Sequence, residues 1–191
     1  MYNRKQIKAE AKECLNKNFG VALGTLVVYG LIGFAAAYIP FAAAILSGVL
    51  ITGVAKVFLS IVRRAPLVEF SNMFDGFKNF GTTCISGILV AIYTFLWSLL
   101  FIIPGIIKAY SYSMTFYILA DHPELTASQA IAASQKMMDG HKWDFFVLEL
   151  SFIGWYLLSF ITFGLAMIYA APYMAAANAK FYDTIKYQII E

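Results

Sequence analysis

The sequence predicts an all-α, polytopic membrane helical bundle: six transmembrane helices paired as three hairpins, with interfacial amphipathic helices on the cytoplasmic side. Three observations carry this prediction. Of 191 residues, 61% are hydrophobic and only 13% charged, with a mean hydropathy of +0.72, whereas a water-soluble domain carries roughly 25% charged residues. The apolar residues fall in blocks that reach or approach the roughly 20 needed for a helix to cross the hydrocarbon; a β-barrel would instead show alternating segments of about ten. The turns at Pro40, Pro104-Gly105 and Gly164 carry no charge, while the termini and the connections at 63–80 and 121–144 hold every charge except Lys56, Lys108, Glu149 and Lys180. Lys and Arg stay on the cytoplasmic side during insertion, so both termini are expected there.

The chain is expected to be one domain, 1–191. Residues 1–18 place Ile7, Ala11, Cys14 and Leu15 on one face against Arg4, Lys5, Lys8, Lys12 and Lys17. This pattern predicts a basic helix lying on an anionic leaflet. The apolar blocks follow only after it, so no cleaved signal peptide is expected. Spans one and two are predicted at 19–39 and 41–62, turning at Pro40, with Gly20/Gly24 and Ala44/Gly48 as small-residue packing pairs. Lys56 is expected to snorkel toward Arg63-Arg64. Phe70, Met73, Phe74, Phe77 and Phe80 at helical spacing predict a second interfacial helix.

Spans three and four are predicted at 83–103 and 106–119, turning at Pro104-Gly105, because proline removes a backbone donor and glycine tolerates tight turns. Thr126 and Gln129 match a capping box. The helix they open should bury Ala130, Ile131, Ser134, Met137 and Met138 and stop at Gly140. Spans five and six are predicted at 143–163 and 165–182, turning at Gly164. Pro172 should kink the last, and Ala171, Ala175 and Ala179 should form its packing face.

No catalytic pattern is present: there is no HExxH, GxSxG or phosphate-binding glycine loop. Cys14 and Cys84 are far apart and show no metal-ligand spacing. The chain is therefore expected not to be an enzyme and to need no cofactor or metal. A net charge of +3 is too small to point to nucleic acid. Charges inside spans are functional candidates by default. Lys108, with Tyr110 and Tyr112, either lines a cavity or reaches lipid headgroups; Glu149 is placed to pair with Lys180, at similar depth on the sixth span. His141 with Asp139 or Asp144 is the least favoured centre.

Five stretches, FDGFKNF, WSLLFIIPGIIKAYSYSM, AIAASQKMMDGHK, FIGW and APYMAAANAKFY, occur in an order that resembles a bacterial integral-membrane family, domain of unknown function 975. Ser134, Met137, Met138, Gly140, His141, Lys142, Phe152, Trp155, Pro172, Tyr173, Phe181 and Tyr182 match its pattern, and the first six form a cytoplasmic motif; Glu149 stands where the family pattern has an apolar residue. The resemblance implies a multi-pass protein of the bacterial plasma membrane and no activity. The expected function is a non-catalytic scaffold, assembly or lipid-interacting module, its partners being membrane lipids of anionic character and a second membrane protein. The alternative is a small transporter or channel with a site near Lys108.

Overall fold

The computed structural model describes residues 4–39, 42–100 and 102–186. Its elements are α1 (Arg4–Lys17), α2 (Phe19–Ala37), α3 (Ala42–Val62), a 3-10 helix (Phe70–Phe77), α4 (Phe80–Leu100), α5 (Ile102–Tyr112), α6 (Thr115–Asp121), α7 (Ala127–Met137), α8 (Lys142–Leu150), α9 (Ile153–Ile161) and α10 (Met167–Ile185). Among the described residues there is no strand. Four stretches are long and apolar enough to cross a membrane: Phe19–Ala37, Ile45–Val62, Phe80–Leu99 and Lys142–Ile161. The stretches expected as the fourth and sixth spans are not among them. The fourth is split into two short helices, and the sixth carries Asn178, Lys180 and Asp183 in its second half.

The hub is α3, which packs against α1, α2, the 3-10 helix, α4, α6 and α10. Its apolar stretch is 61% buried, against 17% for each of the other three. Close approach explains part of this. A side chain at Gly48 would run into the Thr83 carbonyl and Gly87 of α4, and one at Gly53 into the Met73 carbonyl of the 3-10 helix. Backbones this near require residues without a Cβ. Gly48 thus packs as expected, while Gly20 and Gly24 have nothing within 4 Å and do not form the expected seam.

The 63–80 connection is not an α-helix. Pro66 disfavours helical geometry at the residue before it, and the chain forms only an eight-residue 3-10 helix, with Met73 and Gly76 buried against α3. Lys56 does not run toward Arg63-Arg64: its Nζ lies 2.6 Å from Asp75 of this helix. Pro40 lies outside the described residues. Pro104 and Gly105 lie within α5, not in a turn between α4 and α5. Pro104 sits in the first turn of α5, where its missing N–H has no helical partner to lose, and Gly105 lets α5 close on Ser98 of α4.

Two expected continuous spans are broken partway. Turns at Ser113–Met114 separate α5 from α6, and turns at Ser151–Phe152 separate α8 from α9. The turn before α10 does involve Gly164, but Phe163 takes the first left-handed position (φ 50°) and Gly164 the next (φ 91°). The Gly164 N–H closes the helix end on the Ser159 carbonyl at 2.8 Å, the Schellman arrangement. Pro172 is inside α10, as expected, with the buried small face at Ala170, Ala176, Ala177 and Ala179, while Ala171 and Ala175 are half-buried.

The predicted faces of α1 and α7 are right, but protein covers them. Ile7, Ala11, Cys14 and Leu15 are buried against α10, α3 and α2, so α1 has no free apolar face to lay on a leaflet. The capping box at α7 forms, with the Thr126 N–H donating to Gln129 Oε1 at 2.9 Å. The residues this helix buries are Ala127, Ala130, Ile131, Ser134 and Met137.

Candidate functional site

One end of the bundle gathers the charges. The route there is set by helix ends: α3 stops at Val62, α6 at Asp121 and α10 at Ile185, so residues next to these stops meet. After α3 the chain turns through Arg64 in the left-handed region (φ 53°), with Ala65 N–H on the Ser60 carbonyl at 3.0 Å and Arg64 N–H on Ile61 at 3.1 Å. This closure leaves Arg63 pointing across the bundle end.

Arg63 donates from Nη1 and Nη2 to the two Asp121 oxygens at 2.5 and 2.6 Å, and from Nε to Asp183 Oδ1 at 2.9 Å. Lys186 lies 3.3 Å from Asp121 and 3.2 Å from Asp183. The Tyr182 hydroxyl donates to Asp121 Oδ2 at 3.0 Å. Two cations and two carboxylates thus balance. Only a guanidinium presents three donors in one plane to serve both acids. Burial pushes the Asp121 carboxyl up, but the bonds from Arg63, with Lys186 and Tyr182 nearby, outweigh it and hold it below the usual carboxylate range. The same bonds raise the Arg63 guanidinium above its ordinary value.

Beside this cluster lies a cavity of about 760 Å³ between α6, α7 and α10. Its walls are Ile118, Leu125, Ala133 and Met137; its rim carries Arg63, Asp121, His122, Lys136, Tyr182 and Lys186. His122 Nδ1 is 3.1 Å from Glu124. Lys136 is exposed and, among the described residues, has no carboxylate at ion-pair distance. Among the described residues that line the cavity, Lys136 is thus the fixed cation that stands outside the quartet. Such a site can hold a ligand with an anionic head and an apolar body.

The residues singled out in the sequence scatter. Lys108 sits over the Trp97 ring, 4.9 Å from its centroid, and Tyr112 is buried against Tyr93 with ring centroids 6.1 Å apart. Glu149 does not pair with Lys180. Lys180 reaches Glu10 of α1 at 2.7 Å, and the Tyr110 hydroxyl donates to Glu149 Oε2 at 3.0 Å. The reason is rotational: α1 docks along α10 and takes the face that carries Lys180. The bond from Lys180, then that from Gln6, lowers the Glu10 carboxyl from its ordinary value.

The motif from Ser134 to Lys142 is structural at its start. The Ser134 hydroxyl donates to the Ser111 carbonyl at 2.8 Å and accepts from the Met114 N–H at 3.2 Å, filling the α5–α6 break. Met137 walls the cavity and Met138 is fully buried. Gly140 has φ 78°, His141 Nδ1 lies 3.9 Å from Asp144, and Lys142 lies 3.3 Å from Asp139. Among the described residues no group of His, Cys, Asp or Glu could hold a metal ion. Sequence reasoning missed Arg63, Asp121, Asp183 and Lys186 as site residues and named Tyr182 only as a match to the family pattern. The available signal was that each charged member stands within three residues of a helix end.

Among the described residues these features define an all-helical protein with four stretches long and apolar enough to cross a membrane and a charged pocket at one end. The chain belongs to the family described as Protein of unknown function (DUF975), which matches residues 1–111 and 99–188. No curated protein and no solved structure matches it.

Proposed function

We propose that this is a non-catalytic, lipid-interacting membrane protein that holds an anionic phospholipid headgroup in the pocket between α6, α7 and α10. It crosses the plasma membrane of a bacterium six times as three hairpins, with the charged end and both termini cytoplasmic. The observation that carries the reading is the cation outside the quartet, Lys136, over an apolar-walled cavity at the inner end of α6. Phosphate would meet Lys136 and the rim of the quartet, and chain methylenes would cover Ile118 and Met137. The crossing itself is supported by apolar side chains exposed all round the bundle, including Leu31 and Phe34 of α2, Phe95 and Leu99 of α4 and Phe160 of α9. Exposed apolar surface this extensive is foreign to a protein in water. Positive charge gathered at one end supports the orientation.

The test is the lipid that copurifies. Native mass spectrometry of the parent should show retained anionic phospholipid. Lys136→Glu, an exposed substitution, should lower its occupancy about tenfold, the scale of one charge-assisted contact. Ala133→Phe, which fills the cavity without touching a charge, should lower it as well. Equal anionic lipid on all three proteins would sink the proposal.

A second reading, a small transporter, is supported by the two broken helices, since interrupted helices line substrate sites in many transporters. In this reading the site lies near Lys108, five residues before the α5–α6 break.

A further inference from the structure

Between α5 and α8 lies a smaller cavity of about 330 Å³, lined by Ile106, Ala109, Tyr110, Ser113, Phe145 and Glu149. It sits beside both helix breaks. Ser113 belongs to the α5–α6 break, and Glu149 stands two residues before the α8–α9 break. Counting from Lys142, the Glu149 carboxylate lies about 10 Å along the helix axis from the charged end, so it is separated from the cluster around Arg63.

We infer that this cavity is a binding site for an organic ammonium group, with Glu149 as its counter-charge and Tyr110 and Phe145 as its aromatic walls. Four features carry the assignment. First, the two cations that could have neutralised Glu149 are engaged elsewhere: Lys108 rests on Trp97 and Lys180 on Glu10. Among the described residues no cation stands at ion-pair distance from Glu149, whose one hydrogen-bond partner is the Tyr110 hydroxyl. A carboxylate inside an apolar segment is costly and calls for a positive partner.

Second, the aromatic geometry suits a cation. The Tyr110 ring meets Phe145 at 5.9 Å and 80° and Phe146 at 6.0 Å and 87°. Of these rings Tyr110 and Phe145 line the cavity beside Glu149, and aromatic rings next to a carboxylate suit an alkylammonium. Third, the donor set is wrong for a bare metal ion. Hard cations take six or more oxygens, whereas the lining offers one carboxylate, one phenol and one serine hydroxyl. The Ser113 hydroxyl already donates to the Tyr110 carbonyl at 2.8 Å. Fourth, the volume exceeds by about tenfold the roughly 30 Å³ share of one water and falls at the lower limit of small-molecule sites. The site stands apart from the lipid pocket, and it serves equally for holding a cation and for passing one on.

The experiment uses the full chain in nanodiscs of zwitterionic lipid. Binding of a panel of probes (benzylammonium, choline and benzyltrimethylammonium, with benzyl alcohol as the neutral analogue and sodium chloride as the bare-ion control) is followed by isothermal titration. Saturable binding of at least one ammonium probe is expected, without binding of benzyl alcohol. Glu149→Gln, which keeps size and the acceptor for Tyr110, should weaken it tenfold or more, and Tyr110→Phe by severalfold, on the scale of a charge-assisted contact and a rim hydroxyl. Circular dichroism and gel filtration confirm that the variants fold. Anionic-lipid occupancy should be unchanged in Glu149→Gln, which separates this site from the proposed lipid pocket. The inference is overturned if no ammonium probe binds, if Glu149→Gln binds as the parent does, or if sodium competes as effectively as the ammonium probes.

Discussion

The two helix breaks are repaired in different ways, and the difference shows which parts of this bundle are rigid. At Ser113–Met114 the interrupted backbone is satisfied from inside. Ser134 of α7 takes the Met114 N–H and gives its proton to the Ser111 carbonyl, and its own side chain is fully buried. At Ser151–Phe152 the repair comes from the amino-terminal helix. Lys8 Nζ reaches the Ser151 carbonyl at 3.3 Å and its hydroxyl at 3.1 Å, and rests 4.5 Å from the Phe152 ring centroid. The first repair is a neutral side chain locked in a packed core. The second is a flexible ammonium reaching across from α1. A broken helix needs its freed groups satisfied, and the partner decides whether the break is permanent.

The largest expected effect comes from removing the buried repair. Ser134→Ala strands a donor and an acceptor at once, each costing about 1–3 kcal/mol when buried. A loss of roughly 3 kcal/mol is expected in denaturant unfolding in micelles, with α5, α6 and α7 losing hydrogen-exchange protection together. Little change would mean that water or a backbone shift fills the gap, and the two breaks would then be alike.

Next is Arg63→Lys, which keeps the charge at the bundle end but loses the planar fork. One ammonium cannot serve both Asp121 and Asp183, and a loss of about 1–2 kcal/mol is expected, seen as faster exchange at the ends of α6 and α10. The same cluster sets an acid limit. Asp121 titrates below its ordinary value of 3.8, so its contribution is complete above that value and is lost as pH falls through the lower folded value. Parent protein should therefore lose protection at these helix ends below about pH 4, and Asp121→Asn should abolish that step.

The smallest effect is expected for Lys8→Met. A half-buried, flexible ammonium on a carbonyl and a ring contributes about 1 kcal/mol. Global stability should barely change, while exchange at Ser151–Tyr156 and protease access to α1 should rise. A loss as large as that of Ser134→Ala would show that α1 is as integral to the bundle as α7.

Much of the fold was legible because it depends on local properties. Blocks of apolar residues in a chain with few charges dictate helices, the capping box at Thr126 and Gln129 dictates where α7 starts, and the buried faces of α1 and α7 follow from a period of 3.6 residues. The candidate site was far less legible. Arg63, Asp121 and Asp183 are up to 120 residues apart, as the Arg63–Asp183 bond records, and each alone reads as an ordinary charge at a helix end. Glu149 and Lys180 were rightly marked as unusual but wrongly paired, since depth along a helix can be counted from sequence and rotation about its axis cannot.

By itself the sequence determined helix content, the apolar blocks and the segregation of charge, because each reflects the solvation preference of residues near one another in the chain. Tertiary structure alone decided that α1 is covered by α10, that two long apolar stretches break where Ser134 and Lys8 can reach them, and that Glu149 faces a cavity with no cation at ion-pair distance among the described residues. Those outcomes depend on which backbone groups and side chains meet across the bundle. Such meetings are set by packing over the whole molecule, not by neighbours in the chain.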